Sequence, residues 1–279
     1  MGLVRPEVWG IVLILAQMLR DGVRKFEVMM TFPTTSREVY SQNFIKEAIC
    51  QVRFPRLLEI ESQVPVRFQK LLFEEFPYLD AREQFGVMIG SGPEGPFATP
   101  SRSTIYEFKN SARDTTISVC SEFVAVITTS YNDWATHRSW LQKALQAASE
   151  CYGISMYSRL GLRYINSIPL STSLDGIVDP CLLGPLATDQ RDRVAAFNST
   201  STFFLGDDRQ LNLVSSLAGP DGAREYLLDF DIFQESAGRF DTAKLVVTFD
   251  ELNGLVTDAF NWAQGPKLNE MLKRNPGTS

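Results

Sequence analysis

Asp229 and Asp231 stand one residue apart in the run YLLDFDIF, and an extended chain turns successive side chains to opposite faces, so both carboxylates project together. Leu228, Phe230 and Ile232 then face the other way. Such a pair could ligate Mg²⁺ or divide acid and base roles, although a metal needs a further ligand that one run does not supply. Arg159 and Arg163 likewise share a face of the run RLGLRYINSIPL. If the two runs become neighbouring strands, ion pairing between these arginines and aspartates is the natural outcome. Asn166, at the end of the arginine strand, is read as a backbone cap, with a polar ligand as its functional alternative. Arg159, Arg163, Asn166, Asp229 and Asp231 therefore form the candidate site, for binding or for structural ion pairing. No residue is assigned a catalytic or metal-holding role, and no cofactor is expected.

Other chemistry finds little support. The chain of 279 residues holds one histidine, which removes most triads and His-rich metal sites. His137 falls on a predicted helix one turn after Trp134, where it reads as packing. No G-x-S-x-G elbow appears. Cys50, Cys120, Cys151 and Cys181 show no close spacing of the kind a zinc or redox site requires, and they fit a reducing, cytoplasmic setting. Gly90, Gly92 and Gly95 satisfy G-x-G-x-x-G, but Pro93 and Pro96 interrupt it and a strand follows instead of a helix, so a hairpin loop is expected.

Composition sets further bounds. With 44% apolar and 22% charged residues the chain can bury a core, which excludes disorder, collagen and coiled coil as whole-chain descriptions. A net charge of −6 repels phosphate backbones on average, and no basic run offsets it, so nucleic-acid binding is disfavoured. Residues 1–28 differ from the rest. Val8 to Leu19 is an apolar run broken by Gly10 and Gln17, shorter than the roughly 18 residues of a membrane span. No small-residue cleavage pattern follows it. The expectation is a start at Met29 or Met30, with the preceding stretch a start-site artefact or a loosely attached helix. No membrane association is expected.

The elements that must position the candidate site follow from periodicity. FIKEAICQVRF alternates as a strand, and Pro65 opens a short helix over 64–76. Strands are expected near 82–90, 103–110 and 115–129, the last a single long one, with a Gly/Pro loop over 90–100. Asn132 or Asp133 caps a helix that Gly153 stops. The arginine strand follows, then an irregular turn, then strands near 192–205, 209–218 and 223–235. A closing helix begins at Asp250 and ends at Gly265 and Pro266. Both halves, 40–153 and 154–273, read as strand, helix or turn, three strands, helix. The fold expected is α+β, two similar halves with largely antiparallel sheets, joined edge to edge in a saddle similar to the TATA-box-binding protein fold.

FIKEAICQVRF, RLGLRYINSI, YLLDFDIF and the closing LNGLVTDAFNWAQ together resemble one sporadically distributed bacterial and archaeal family without an assigned activity. The resemblance spans roughly Tyr40 to Leu272 and leaves 1–28 uncovered. Relatives often carry a histidine shortly after the start of the closing helix; Asn253 or Gly254 occupies that region here, which argues against imidazole chemistry. The functional expectation is a non-catalytic binding or adaptor protein that holds a protein partner or a second copy. The alternatives are a metal-dependent enzyme using Asp229 and Asp231, and nucleic-acid binding through a concave sheet face.

Overall fold

The alternation in FIKEAICQVRF builds β1 (Ile45–Arg53), whose Ala48, Cys50 and Val52 are fully buried on one face. A computed structural model describes residues 32–34, 40, 42–92, 95–170, 174–218 and 224–272, without the side chains of 85–102 and 218. The extension 1–28, the starts at Met29 and Met30, Pro93 and the 219–222 turn lie outside the described residues.

Two short helices follow β1: α1 (Leu58–Ser62) and α2 (Val66–Leu72), the latter with Pro65 in the cap position rather than inside the first turn. Then comes a long hairpin of β2 (Tyr78–Gly92) and β3 (Gly95–Lys109), paired from Tyr78↔Lys109 to Gly92↔Gly95. The expected 90–100 loop is thus mostly strand. Gly and Pro suggested irregular chain, whereas ladder pairing with the partner strand keeps it extended.

The expected single strand over 115–129 is a second hairpin, β4 (Thr115–Cys120) and β5 (Phe123–Thr128), turning at Ser121 and Glu122. Neither turn residue has a positive φ. Distant groups hold the turn: Glu122 O accepts from Phe54 N at 3.0 Å, Ser121 O from Leu57 N at 2.8 Å, and Ser121 Oγ donates to Glu61 at 2.9 Å. No local turn signature exists to announce it.

Helix α3 (Trp134–Tyr152) is bounded as expected. The Asp133 carboxylate accepts from Thr136 N, and Gly153 sits at φ +57° with open space around it. After a short β6 (Met156–Tyr157) comes β7 (Arg159–Pro169). Three 3₁₀ turns, Pro180–Leu182, Gly184–Ala187 and Arg191–Arg193, lead to β8 (Asn198–Gly206), β9 (Arg209–Ala218) and β10 (Glu225–Gln234). Asp207 and Asp208, both at positive φ, make the β8–β9 turn.

The closing helix α4 spans Thr242–Ala263 and is capped by Asp241, nine residues before the expected cap at Asp250. It follows β11 (Gly238–Arg239) and precedes α5 (Pro266–Met271). Leu245, Val246 and Phe249 continue its buried stripe upstream, so Asp250 lies inside the helix. It ends at Ala263, and Gly265 between α4 and α5 is held to glycine by a tertiary contact, because a Cβ there would lie 2.3 Å from Gly176 O.

The fold is α+β, and among the described residues a nine-stranded antiparallel sheet runs in the order β2-β3-β4-β5-β1-β7-β10-β9-β8, with β6 and β11 paired apart from it. In each half the first strand pairs with the last, β1 with β5 and β7 with β10, and the meander runs outward from there. The halves meet where β1 pairs with β7. Helices α3 and α4 pack on the buried face of the sheet, α3 against β5 and α4 against β7 and β10. Between them Trp134 Nε1 donates to Asp250 Oδ1 at 2.8 Å, and Arg138 Nε reaches the same carboxylate at 2.8 Å. Among the described residues no helix is long and apolar enough to cross a membrane.

Candidate functional site

Strands β7 and β10 pair with Arg163 opposite Asp231 and Ile165 opposite Asp229. That register brings Arg159, Arg163, Asp229 and Asp231 together on the face away from α3 and α4. Arg163 Nε donates to Asp229 Oδ1 at 2.8 Å and Nη2 to Oδ2 at 2.5 Å, a fork that occupies both carboxylate oxygens. This bonding raises the Arg163 pKa. Arg159 approaches Asp231 more loosely, at 3.5 Å, and stacks over the Phe233 ring at 4.6 Å. Burial pushes the Asp231 carboxyl up, against the pull of Arg159 and Arg163.

Asn166 belongs elsewhere. It sits an odd number of residues from Arg163, so β7 turns it to the helix side, where it is 3% exposed and its Nδ2 donates to Leu228 O at 3.2 Å. There it lines a cavity of about 250 Å³ that the sequence did not announce. The walls come from both halves: Tyr131 and Trp134 at the start of α3, Tyr164 and Asn166 on β7, Phe230 on β10, and Asn253, Val256 and Phe260 on α4. Asn43 Nδ2 fastens the chain before β1 to Tyr131 O at 3.0 Å.

A polar thread crosses the cavity wall. Tyr164 Oη donates to Asn253 Oδ1 at 3.0 Å and lies 3.4 Å from Tyr131 Oη. Burial pushes the Tyr131 phenol up to about 12 and raises that of Tyr164 well above its ordinary value, so both remain neutral across ordinary pH. Asp133 brings the one carboxylate among the described lining residues, and its oxygens accept from Thr136 N at 2.7 Å and Thr136 Oγ1 at 3.0 Å.

The remaining sequence candidates fall outside this cavity. His137 is buried behind it, 3.0 Å from Thr128 Oγ1, and burial pulls its pKa down to about 4. Gly90, Gly92 and Gly95 belong to the β2–β3 ladder, with no helix after them. All four cysteines are free thiols. Among the described residues no group of three His, Cys, Asp or Glu side chains could hold a metal. Tyr131 passed unnoticed because it lies in a loop, and Asn253 was singled out only as a departure from an expected histidine, with no polar role assigned to it. Tyr164 read as an ordinary apolar-face residue. A scan of known protein families, curated proteins and solved structures finds no match to this chain.

Proposed function

We propose that this is a non-catalytic binding protein whose recognition site is the cavity at the seam of the two halves. The observation that carries this reading is the cavity itself: an aromatic and aliphatic wall with a few convergent polar groups, built jointly by β7, β10, α3 and α4. The test is a thermal-shift screen of uncharged fragments of about ten heavy atoms, repeated on Thr257→Phe, which fills the cavity from α4. A ligand at a hundred times its Kd stabilises by about 2.7 kcal/mol, roughly 5–10 °C for a chain of this size. Hits should disappear in the variant; a screen without hits, or hits that persist, sinks the reading.

The nine-strand order supports a saddle similar to the TATA-box-binding protein fold, with the ion-paired face as the open side. Nucleic-acid binding there loses support because Arg159 and Arg163 already face carboxylates. Metal-assisted catalysis at Asp229 and Asp231 loses support for the matching reason: Arg163 takes both Asp229 oxygens. A second reading, contact with a protein partner or a second copy, is favoured by exposed Leu58, Val64 and Phe73 on and around α1 and α2, at 68%, 62% and 57%. The four free thiols fit a cytoplasmic setting.

A further inference from the structure

We infer that the seam cavity is built for an uncharged aromatic carboxamide or lactam, a class that rests on the cavity being a binding site at all. Size comes first. An engineered cavity of about 150 Å³ holds benzene, so about 250 Å³ accommodates a six-membered ring carrying a small polar substituent. Phe230, Val256 and Phe260 supply apolar surface for the ring.

Charge narrows the class. No Lys, Arg or His is among the described lining residues, so an anion finds no counter-charge. The Asp133 carboxylate is already engaged by Thr136 at the N-terminus of α3, where the helix dipole contributes roughly half a positive charge. A cation therefore meets a carboxylate whose field is largely offset. A neutral ligand is left.

Hydrogen bonding supplies the edge. Tyr164 Oη donates to Asn253 Oδ1, which orients that carboxamide and leaves its amino group without a partner among the described residues. Asn166 spends its amino group on Leu228 O, and its carbonyl oxygen likewise has no partner there. Asn166 is 3% exposed, yet its carbonyl oxygen is not among the buried polar atoms left without a partner, so it stays open to the cavity, where a ligand N–H can reach it. One donor and one acceptor lining one cavity match the C=O and N–H of an amide edge.

The experiment titrates the intact chain by calorimetry with four probes of nearly equal size: benzamide, acetophenone, benzoate and benzylamine. Benzamide should bind about tenfold tighter than acetophenone, which keeps the carbonyl and lacks the N–H, a difference of about 1.4 kcal/mol. Benzoate and benzylamine should bind more weakly than both. Asn166→Leu, which removes the acceptor for the N–H, should bring benzamide and acetophenone to equal affinity, whereas Asn253→Leu, which removes the donor to the shared carbonyl, should weaken both alike. Equal binding of benzamide and acetophenone to the unaltered chain, or preference for either ion, overturns the ligand class while the cavity reading stands. A fragment screen without hits overturns both.

Discussion

At the scale of single residues, Asp229 and Asp231 look alike in sequence and differ in environment. Asp229 receives a two-pronged bond from Arg163, whereas Asp231 meets Arg159 at 3.5 Å and has its pKa raised by burial. The stability consequences run in opposite directions. An acid whose pKa is raised on folding keeps its proton to higher pH than in the unfolded chain, so its ionisation costs stability as pH rises above the ordinary carboxylate value. At pH 7, Asp231→Asn should leave urea stability unchanged or slightly higher. Asp229→Asn should lose about 1 kcal/mol, a charged hydrogen bond discounted for the partial exposure of Arg163. Parallel urea melts decide it, and a larger loss for Asp231→Asn would refute the assignment. Sequence alternation put both carboxylates on one face. Which arginine meets which carboxylate, and how tightly, depended on register between chain segments more than sixty residues apart.

At the scale of elements, helix α3 was legible from end to end because its signals are local: a capping carboxylate at Asp133 and a left-handed glycine at Gly153. The start of α4 was not. Asp241 and Asp250 each precede apolar residues at helical spacing, and local sequence offers no means of choosing between them. Burial of Leu245, Val246 and Phe249 chooses Asp241 and frees Asp250 to tie α4 to Trp134 and Arg138 of α3. Asp250→Ala should therefore lower urea stability by about 1–2 kcal/mol, one hydrogen bond from the Trp134 indole to a carboxylate plus an ion pair discounted because it is about a third exposed. Asp250→Asn should recover part of that by keeping the Trp134 bond. Stability equal to the native chain in Asp250→Ala would show that this contact does not hold the helices together.

At the scale of the whole molecule, two halves that contribute five and four strands share one sheet, each with its opening sheet strand beside its last, and the seam where β1 meets β7 carries a cavity on one face and ion pairs near it on the other. The apolar patch around α1 and α2 lies apart from both. If it docks a partner or a second copy, replacing Leu58 and Phe73 with serine should abolish association in sedimentation and pull-down. Both side chains are exposed, so folding stability should change by no more than about 0.5 kcal/mol. Unaltered association in that double variant would remove the patch from consideration.

The sequence by itself determined the α+β class and the order of most strands and helices, because periodicity, caps and composition act over a few residues and need no partner. Only the tertiary structure decided that Asn166 turns away from Arg163, that Ser121 and Glu122 form a turn, and that Tyr131, Tyr164 and Asn253 meet around a cavity. Each of these depends on groups brought together by strand register and helix packing, and no local stretch of chain contains both members of such a contact.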